Sequence, residues 1–257
     1  MRTGKVIAVA GKGGTGKTAI AALLIRELLN AHADDEDVCI LAVDADADSN
    51  LPDALGVAYD KTLGDIREDL LEAKQRDVIL DLRSNFEGKI AAIIVEEAHY
   101  DLLVMGRPEG PGCYCAVNNL IRMVIDTLTK NYDYTVIDCE AGLEHLSRRT
   151  TRDVDVMLVV VDRTLKSLKT AVRLKQIAEE IDVDVKDLII VANKIPEDAA
   201  TNRTIRAEAK NQGLEIEEII PFDPLITDYD AKGIPIVDLP ADSLAVTAVR
   251  RLVAKLL

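Results

Sequence analysis

Eight residues near the start of the chain, Gly11-Lys-Gly-Gly-Thr-Gly-Lys-Thr18, stand between five apolar residues, Val6 to Ala10, and a stretch of helical spacing, Thr18 to Asn30. Glycine at half of these eight positions excludes regular structure within them. It also lets backbone N–H groups converge at a helix N-terminus, where the helix dipole favours an anion. The spacing is G-x-x-x-x-G-K-[ST] in its required strand–loop–helix context, which predicts a phosphate loop built from Gly11, Lys12, Gly13, Gly14, Thr15, Gly16, Lys17 and Thr18. Lys17 is expected to reach the β/γ-phosphates and Thr18 to ligate Mg²⁺. Gly11, Gly13 and Gly16 also spell G-x-G-x-x-G, for which Asp44 would be the ribose acid of a dinucleotide site. Lys17-Thr18 directly after the last glycine, with the acidic motifs downstream, favours a nucleoside triphosphate.

Around this loop, short apolar runs recur: Lys5 to Ala10, Val38 to Val43, Leu102 to Met105, Tyr134 to Ile137, Val156 to Val161, Leu188 to Ala192 and Ile219 to Pro221. Apolar on both faces, they predict strands covered by helices on each side. Helices are expected over Thr18 to Asn30, Leu120 to Lys130, Ser167 to Ile181, Asn202 to Gln212 and Leu244 to Leu257. The fold class is therefore α/β, doubly wound, with a mostly parallel sheet flanked by helices on both faces. With 257 residues, 48 % of them hydrophobic, one P-loop domain over residues 1–257 is the expected organisation. Loops are expected at Ala33 to Asp37 and at the glycine- and proline-rich Gly106 to Gly112.

A formal net charge of -14 argues against nucleic acid as a partner. No run reaches the roughly 18 to 20 apolar residues of a membrane span, and the apolar run at Val6 is too short for a signal peptide. Four cysteines are present, and Cys39 and Cys139 fall in apolar, strand-like runs where a reduced thiol is expected as a small core residue. A cytoplasmic location follows from that usage.

Acidic positions complete the phosphate chemistry. Tyr134-Thr-Val-Ile-Asp138 predicts a buried strand ending in a carboxylate, a Walker B arrangement for Mg²⁺. Asp138 to Gly142 has D-x-x-x-G spacing, in which the Gly142 N–H is expected to approach the γ-phosphate. Val43-Asp-Ala-Asp-Ala-Asp-Ser-Asn50 imitates the start of a calcium loop through Asp44, Asp46 and Asp48, but Ser49 and Leu55 replace the required glycine and glutamate. Asp48 reads equally well as a loop or cap residue.

Lys12 within this loop resembles the signature lysine of the deviant Walker A ATPases, which include MinD, ParA and the nitrogenase iron protein. The resemblance implies that Lys12 crosses a homodimer interface to the partner's phosphates, acting like an arginine finger. It further implies that Asp46 orients or activates the attacking water and that Asp44 lies close to the magnesium shell. Asn193, after the strand Leu188 to Ala192, stands where the superfamily places a base-binding asparagine, and Pro221 and Asp223 resemble the segment that borders adenine. Pro196 replaces the guanine-selecting aspartate, which favours ATP.

Cys113 and Cys115 follow the loop at i and i+2 and would point to one side of an extended chain. Two thiolates are half of a tetrahedral site, which a two-fold axis can complete. The segments Gly106 to Leu120 and Asp138 to His145 closely resemble the CooC family of ATPases. That resemblance implies nickel insertion into carbon monoxide dehydrogenase or acetyl-CoA synthase, with Ni²⁺ or Zn²⁺ held by Cys113 and Cys115 of both subunits. His145 reads first as a packing or surface residue. Two rivals are an iron–sulfur reductase or scaffold, and a MinD- or ParA-like positioning protein whose Val249 to Leu257 stretch would lie on a membrane.

Overall fold

The computed structural model describes residues 4–35, 37–66, 88–106, 128–140, 153–180 and 184–257. Eight strands are formed by these residues: β1 (Lys5–Gly11), β2 (Ile40–Ala45), β3 (Val95–Glu96), β4 (Tyr100–Val104), β5 (Tyr134–Cys139), β6 (Asp153–Val161), β7 (Asp184–Ile195) and β8 (Ile216–Pro221). They make one sheet in the order β3-β4-β2-β5-β1-β6-β7-β8. The short β3 pairs antiparallel with β4, and every other pair is parallel. This is the doubly wound, mostly parallel architecture expected from the apolar runs.

Alternation along each strand divides the core into two layers. Ile7 and Val9 of β1 face one layer while Val6, Ala8 and Ala10 face the other. The first layer is covered by α1 (Lys17–Ala31), α2 (Leu51–Leu55) and α6 (Leu244–Leu256), and the second by α3 (Leu165–Glu180) and α4 (Ala199–Asn211). A further helix, α5 (Pro224–Lys232), starts directly after β8 with Asp223 as its N-cap and Pro224 in its first turn. That Asp-Pro pair is a helix-start signal.

The apolar face of α6 belongs to the core. Val249, Leu252, Val253 and Leu256 are buried against α1 and the sheet. Beside them the Glu27 carboxylate of α1 accepts from Arg250 Nε at 2.7 Å and from Asn30 Nδ2 at 3.1 Å. The amphipathic pattern that fits a membrane surface is therefore used to close one layer of the sheet. Leu252→Ala is expected to cost about 2–5 kcal/mol, as for other buried leucines. A lowered urea midpoint checks this; an unchanged midpoint would mean that the helix is not part of the core.

One expectation meets a different outcome, and several others fall outside the described residues. Cys39 is exposed rather than core: β2 begins only at Ile40, and the Cys39 thiol donates to the Asp37 carbonyl at 3.6 Å. The apolar run thus enters the sheet one residue later than its composition suggests. Cys113, Cys115, Gly142, His145, most of the Gly106 to Gly112 loop and most of the expected Leu120 to Lys130 helix lie outside the described residues. Among the described residues, no helix is long and apolar enough to cross a membrane.

Candidate functional site

The carboxyl ends of β2, β5 and β1 deliver the expected site residues to one edge of the sheet. Asp44 and Asp138 are register partners on adjacent strands, and β1 beside them ends at Gly11. Ligands bind at this edge in open α/β sheets.

The phosphate loop is shaped by close approaches that only glycine allows. At Gly11, φ is 149° and a Cβ would lie 2.4 Å from the Val160 carbonyl oxygen of β6. At Gly16, φ is 89° and a Cβ would meet Asn193 Nδ2 at 2.5 Å. Thr15 closes the turn, its N–H and hydroxyl both donating to the Lys12 carbonyl, at 3.3 and 2.8 Å. Gly16 then caps α1, whose first residue, Lys17, is buried. Lys12 is half-buried, whereas Gly13 and Gly14 are exposed.

Asn193 and Lys194 brace this loop from the end of β7. Asn193 Nδ2 donates to the Thr15 carbonyl at 2.8 Å, and Lys194 Nζ to the Gly14 carbonyl at 2.9 Å. Lys194 does so from a left-handed backbone, φ 59°. Sequence reasoning assigned Asn193 to the base; here its amide nitrogen supports the loop. The part played by Lys194 was not anticipated, and its only signal was adjacency to Asn193.

Asp138 is buried, with the Thr18 side chain and the Lys17 ammonium near its carboxyl. Burial pushes its carboxyl up to about 6, against the lowering effects of Thr18 and Lys17. Its Oδ1 is buried without a hydrogen-bond partner. Asp44 is fully buried, and its two oxygens accept from the N–H groups of Asp46 and Leu51, each at 2.9 Å. Burial, with the neighbouring charges of Asp138 and Asp46, carries it up to about 7 against those two hydrogen bonds. In this conformation Asp44 therefore shapes the loop that carries Asp46. Asp46 in turn accepts from the Asp48 N–H at 3.0 Å.

An orphaned carboxylate oxygen next to a threonine hydroxyl fits a hard divalent cation. Among the described residues no three His, Cys, Asp or Glu side chains converge to hold a metal ion by themselves.

From Gly16 and Thr18 a cleft of about 900 Å³ runs along Asn193 and Lys194 to Pro221, Phe222 and Asp223, with Ile234 and Pro235 on its wall. Asp223 is largely committed within the protein. It caps α5 through the Leu225 N–H at 3.0 Å, and it accepts from Ser243 Oγ at 2.7 Å and the Ala245 N–H at 3.1 Å. Burial opposes its ionisation, but these hydrogen bonds outweigh it and hold the carboxyl below its ordinary value.

Sheet order, a glycine loop at the end of a central strand and a threonine facing a buried strand-end aspartate together define a P-loop NTPase fold. The chain belongs to the CobQ/CobB/MinD/ParA nucleotide-binding domain family, whose model matches residues 6–236. It is 48 % identical to the uncharacterized ATP-binding protein MJ0685 of Methanocaldococcus jannaschii over 255 residues, 98 % of each chain. It is 32 % identical to the carbon monoxide dehydrogenase accessory protein CooC of Rhodospirillum rubrum, over 91 % of this chain and 89 % of that protein. A ParA family ATPase from Chlorobium tepidum shares the fold over the full length of both chains, with a TM-score of 0.74 and 20 % identity.

Proposed function

We propose that this chain is a cytoplasmic, homodimeric ATPase of one domain, residues 1–257, that assists nickel insertion into carbon monoxide dehydrogenase or acetyl-CoA synthase. The observation that supports the ATPase part is the pairing of a preformed phosphate loop with the orphaned oxygen of Asp138. The metallochaperone part is supported by the 32 % identity to the CooC accessory protein.

In this reading ATP lies with its phosphates on the N–H groups of Gly11 to Thr18 and its base toward Asn193, Pro221 and Asp223. Lys17 pairs with the β/γ-phosphates. Thr18 and Asp138 would hold Mg²⁺, with Asp44 close to its shell, and the ion would supply charge neutralisation to the phosphates. Asp46 orients a water toward the γ-phosphorus. As the new P–O bond forms, the bond to the β–γ bridging oxygen breaks, the attacking water's proton ends on the inorganic phosphate, and ADP and phosphate leave. Lys12 stabilises the developing charge from the opposite subunit, and the Gly142 N–H serves the γ-phosphate. Cys113 and Cys115 of both subunits close one four-sulfur site for Ni²⁺ or Zn²⁺ as cargo.

Two features that the rival readings draw on are already used by the fold, while the family match fits a MinD- or ParA-like ATPase equally well. A reductase needs a second well-separated thiolate, yet Cys139 is 2 % exposed and burial pushes its thiol up to about 12. The membrane helix of a positioning protein would need the α6 face that is buried here.

Equilibrium dialysis with sedimentation tests the shared site. One Ni²⁺ or Zn²⁺ per dimer is expected, with metal favouring the dimer even without nucleotide, because a ligand that binds only the assembled state stabilises it. Cys113→Ala with Cys115→Ala should remove both effects while ATP binding persists. One metal per monomer with no change in mass, or undiminished binding in the double variant, would sink the model.

A further inference from the structure

Helix α3 is basic in a chain that is otherwise acidic. The protein carries 45 acidic residues against 31 basic ones, yet between Asp162 and Glu179 there are five basic residues and no acidic one. Helical spacing sorts them into a face. Leu168, Ala171 and Leu174 are buried in the second layer of the core. Lys166, Lys169 and Arg173, at i, i+3 and i+7, lie together on the exposed side. Leu165, 55 % exposed, heads the same face one turn before Lys169.

Like charges three and four residues apart repel one another and cost helix stability. Nothing within the described residues relieves that repulsion. Their ion pairs engage Arg26, Lys186, Arg250, Arg251 and Lys255, and none engages Lys166, Lys169 or Arg173. The face is also fixed in place. β6 ends at Val161, and its Val160 is the register partner of Gly11 in the phosphate loop. The turn into α3 is then locked: the Asp162 N–H donates to Ser167 Oγ at 3.0 Å, the Thr164 N–H to Asp162 Oδ1 at 2.8 Å and the Ser167 N–H to Thr164 Oγ1 at 3.2 Å. The basic face therefore begins at the nucleotide edge of the sheet and is presented with little ordering left to do.

We infer that this face of α3 is a docking site for an acidic surface of the protein that the ATPase serves. The choice of partner rests on the client reading above. Lys166 to Arg173 span only about 10 Å along the helix, a short track for a nucleic-acid backbone. The net charge of -14 also repels a polyanion or an anionic membrane as it approaches. A protein partner needs no extended charge. Carboxylates on its surface meet Lys166, Lys169 and Arg173, and the exposed Leu165 adds the apolar contact that protein interfaces place inside a charged rim.

The test measures binding of nickel-free carbon monoxide dehydrogenase and of nickel-free acetyl-CoA synthase to the ATP-loaded protein. Lys166→Glu with Lys169→Glu and Arg173→Glu is expected to weaken binding of the client by about 10-fold or more at low salt, with the difference narrowing as salt is raised. ATP binding and hydrolysis should stay at the parent level, which also shows that the variant folds. Lys166→Gln with Lys169→Gln and Arg173→Gln carries the test should the reversal fail to fold, with a smaller loss in the same direction. A matched control, Lys175→Glu with Lys210→Glu and Lys232→Glu, makes the same change in net charge away from this face and should bind within two-fold of the parent. Client binding by the α3 variants within two-fold of the parent would overturn the inference. So would an equal loss in the matched control, or a loss seen only with duplex DNA or anionic vesicles. A parent protein that binds neither enzyme would sink the client reading itself, and the docking role with it.

Discussion

Asp46→Asn is expected to slow ATP hydrolysis by about 10²-fold or more, the usual loss on removing a positioned acid or base, while ATP binding stays near its original strength. The substitution keeps the side chain's shape and an oxygen that can accept from the Asp48 N–H, now at 3.0 Å. Its backbone N–H still donates to Asp44 at 2.9 Å, so the loop keeps its course. What disappears is one negative charge beside Asp44 and Asp138, where Asp46 contributes to both raised carboxyls. Losing that charge relieves repulsion toward the phosphates, so binding has no reason to weaken. Single-turnover hydrolysis beside equilibrium ATP binding separates the two effects. Turnover within a few-fold of the parent would remove Asp46 from the reaction.

Stability of the metal-free protein is expected to fall as pH rises from about 4 to about 7. Asp44 and Asp138 sit at about 7 and about 6, well above the ordinary carboxylate value, chiefly because burial penalises their charged forms. Through that window the folded protein holds protons that the unfolded chain has already released, so unfolding becomes easier with each step in pH. The two groups together carry a loss on the order of a few kcal/mol. Asp223 works in the opposite sense. Its lowered carboxyl contributes stability above the unfolded value near 3.9, and that contribution is lost as pH falls through the folded one. Magnesium with nucleotide should flatten the decline above pH 5 by favouring the ionised carboxylates, with protons released on binding. Urea midpoints at pH 5.5, 6.5 and 8, with chelator and with magnesium nucleotide, give the comparison. A midpoint in chelator that rises from pH 5.5 to 8 would contradict the assignment.

The sheet was legible because its strands are buried on both sides. Each of the seven apolar runs falls mainly within a strand, although Val38 and Cys39 precede β2 and Met105 follows β4. The run Leu188 to Ala192 grew into β7, Asp184–Ile195, because its ends carry Lys186 and Asp187 at one side and Lys194 at the other. The two-residue β3 has no pattern to find, and α2, at five residues, is too short for helical periodicity. The helix α5 was missed although Asp223-Pro224 announces its start. In the site, one-dimensional spacing revealed the phosphate loop and the strand-end aspartates. It could not reveal that Lys194 reaches Gly14, or that Asp223 joins α5 to α6, since those contacts span 180 and 22 residues.

The glycines of the phosphate loop differ in what holds them. At Gly11 and Gly16 a neighbouring atom already occupies the space of a side chain, at 2.4 and 2.5 Å. Gly14 has nothing within 4 Å, and only its φ of 82° restricts it. Gly11 is closed to descendants by the Val160 backbone, Gly16 by its φ of 89° together with the Asn193 amide that braces the loop, and Gly14 by backbone torsion alone. Asparagine, which tolerates left-handed conformations better than other residues with a Cβ, is thus an admissible step at position 14 alone among these three. Among these three glycines drift has one narrow exit, and it opens where Lys194 reaches across.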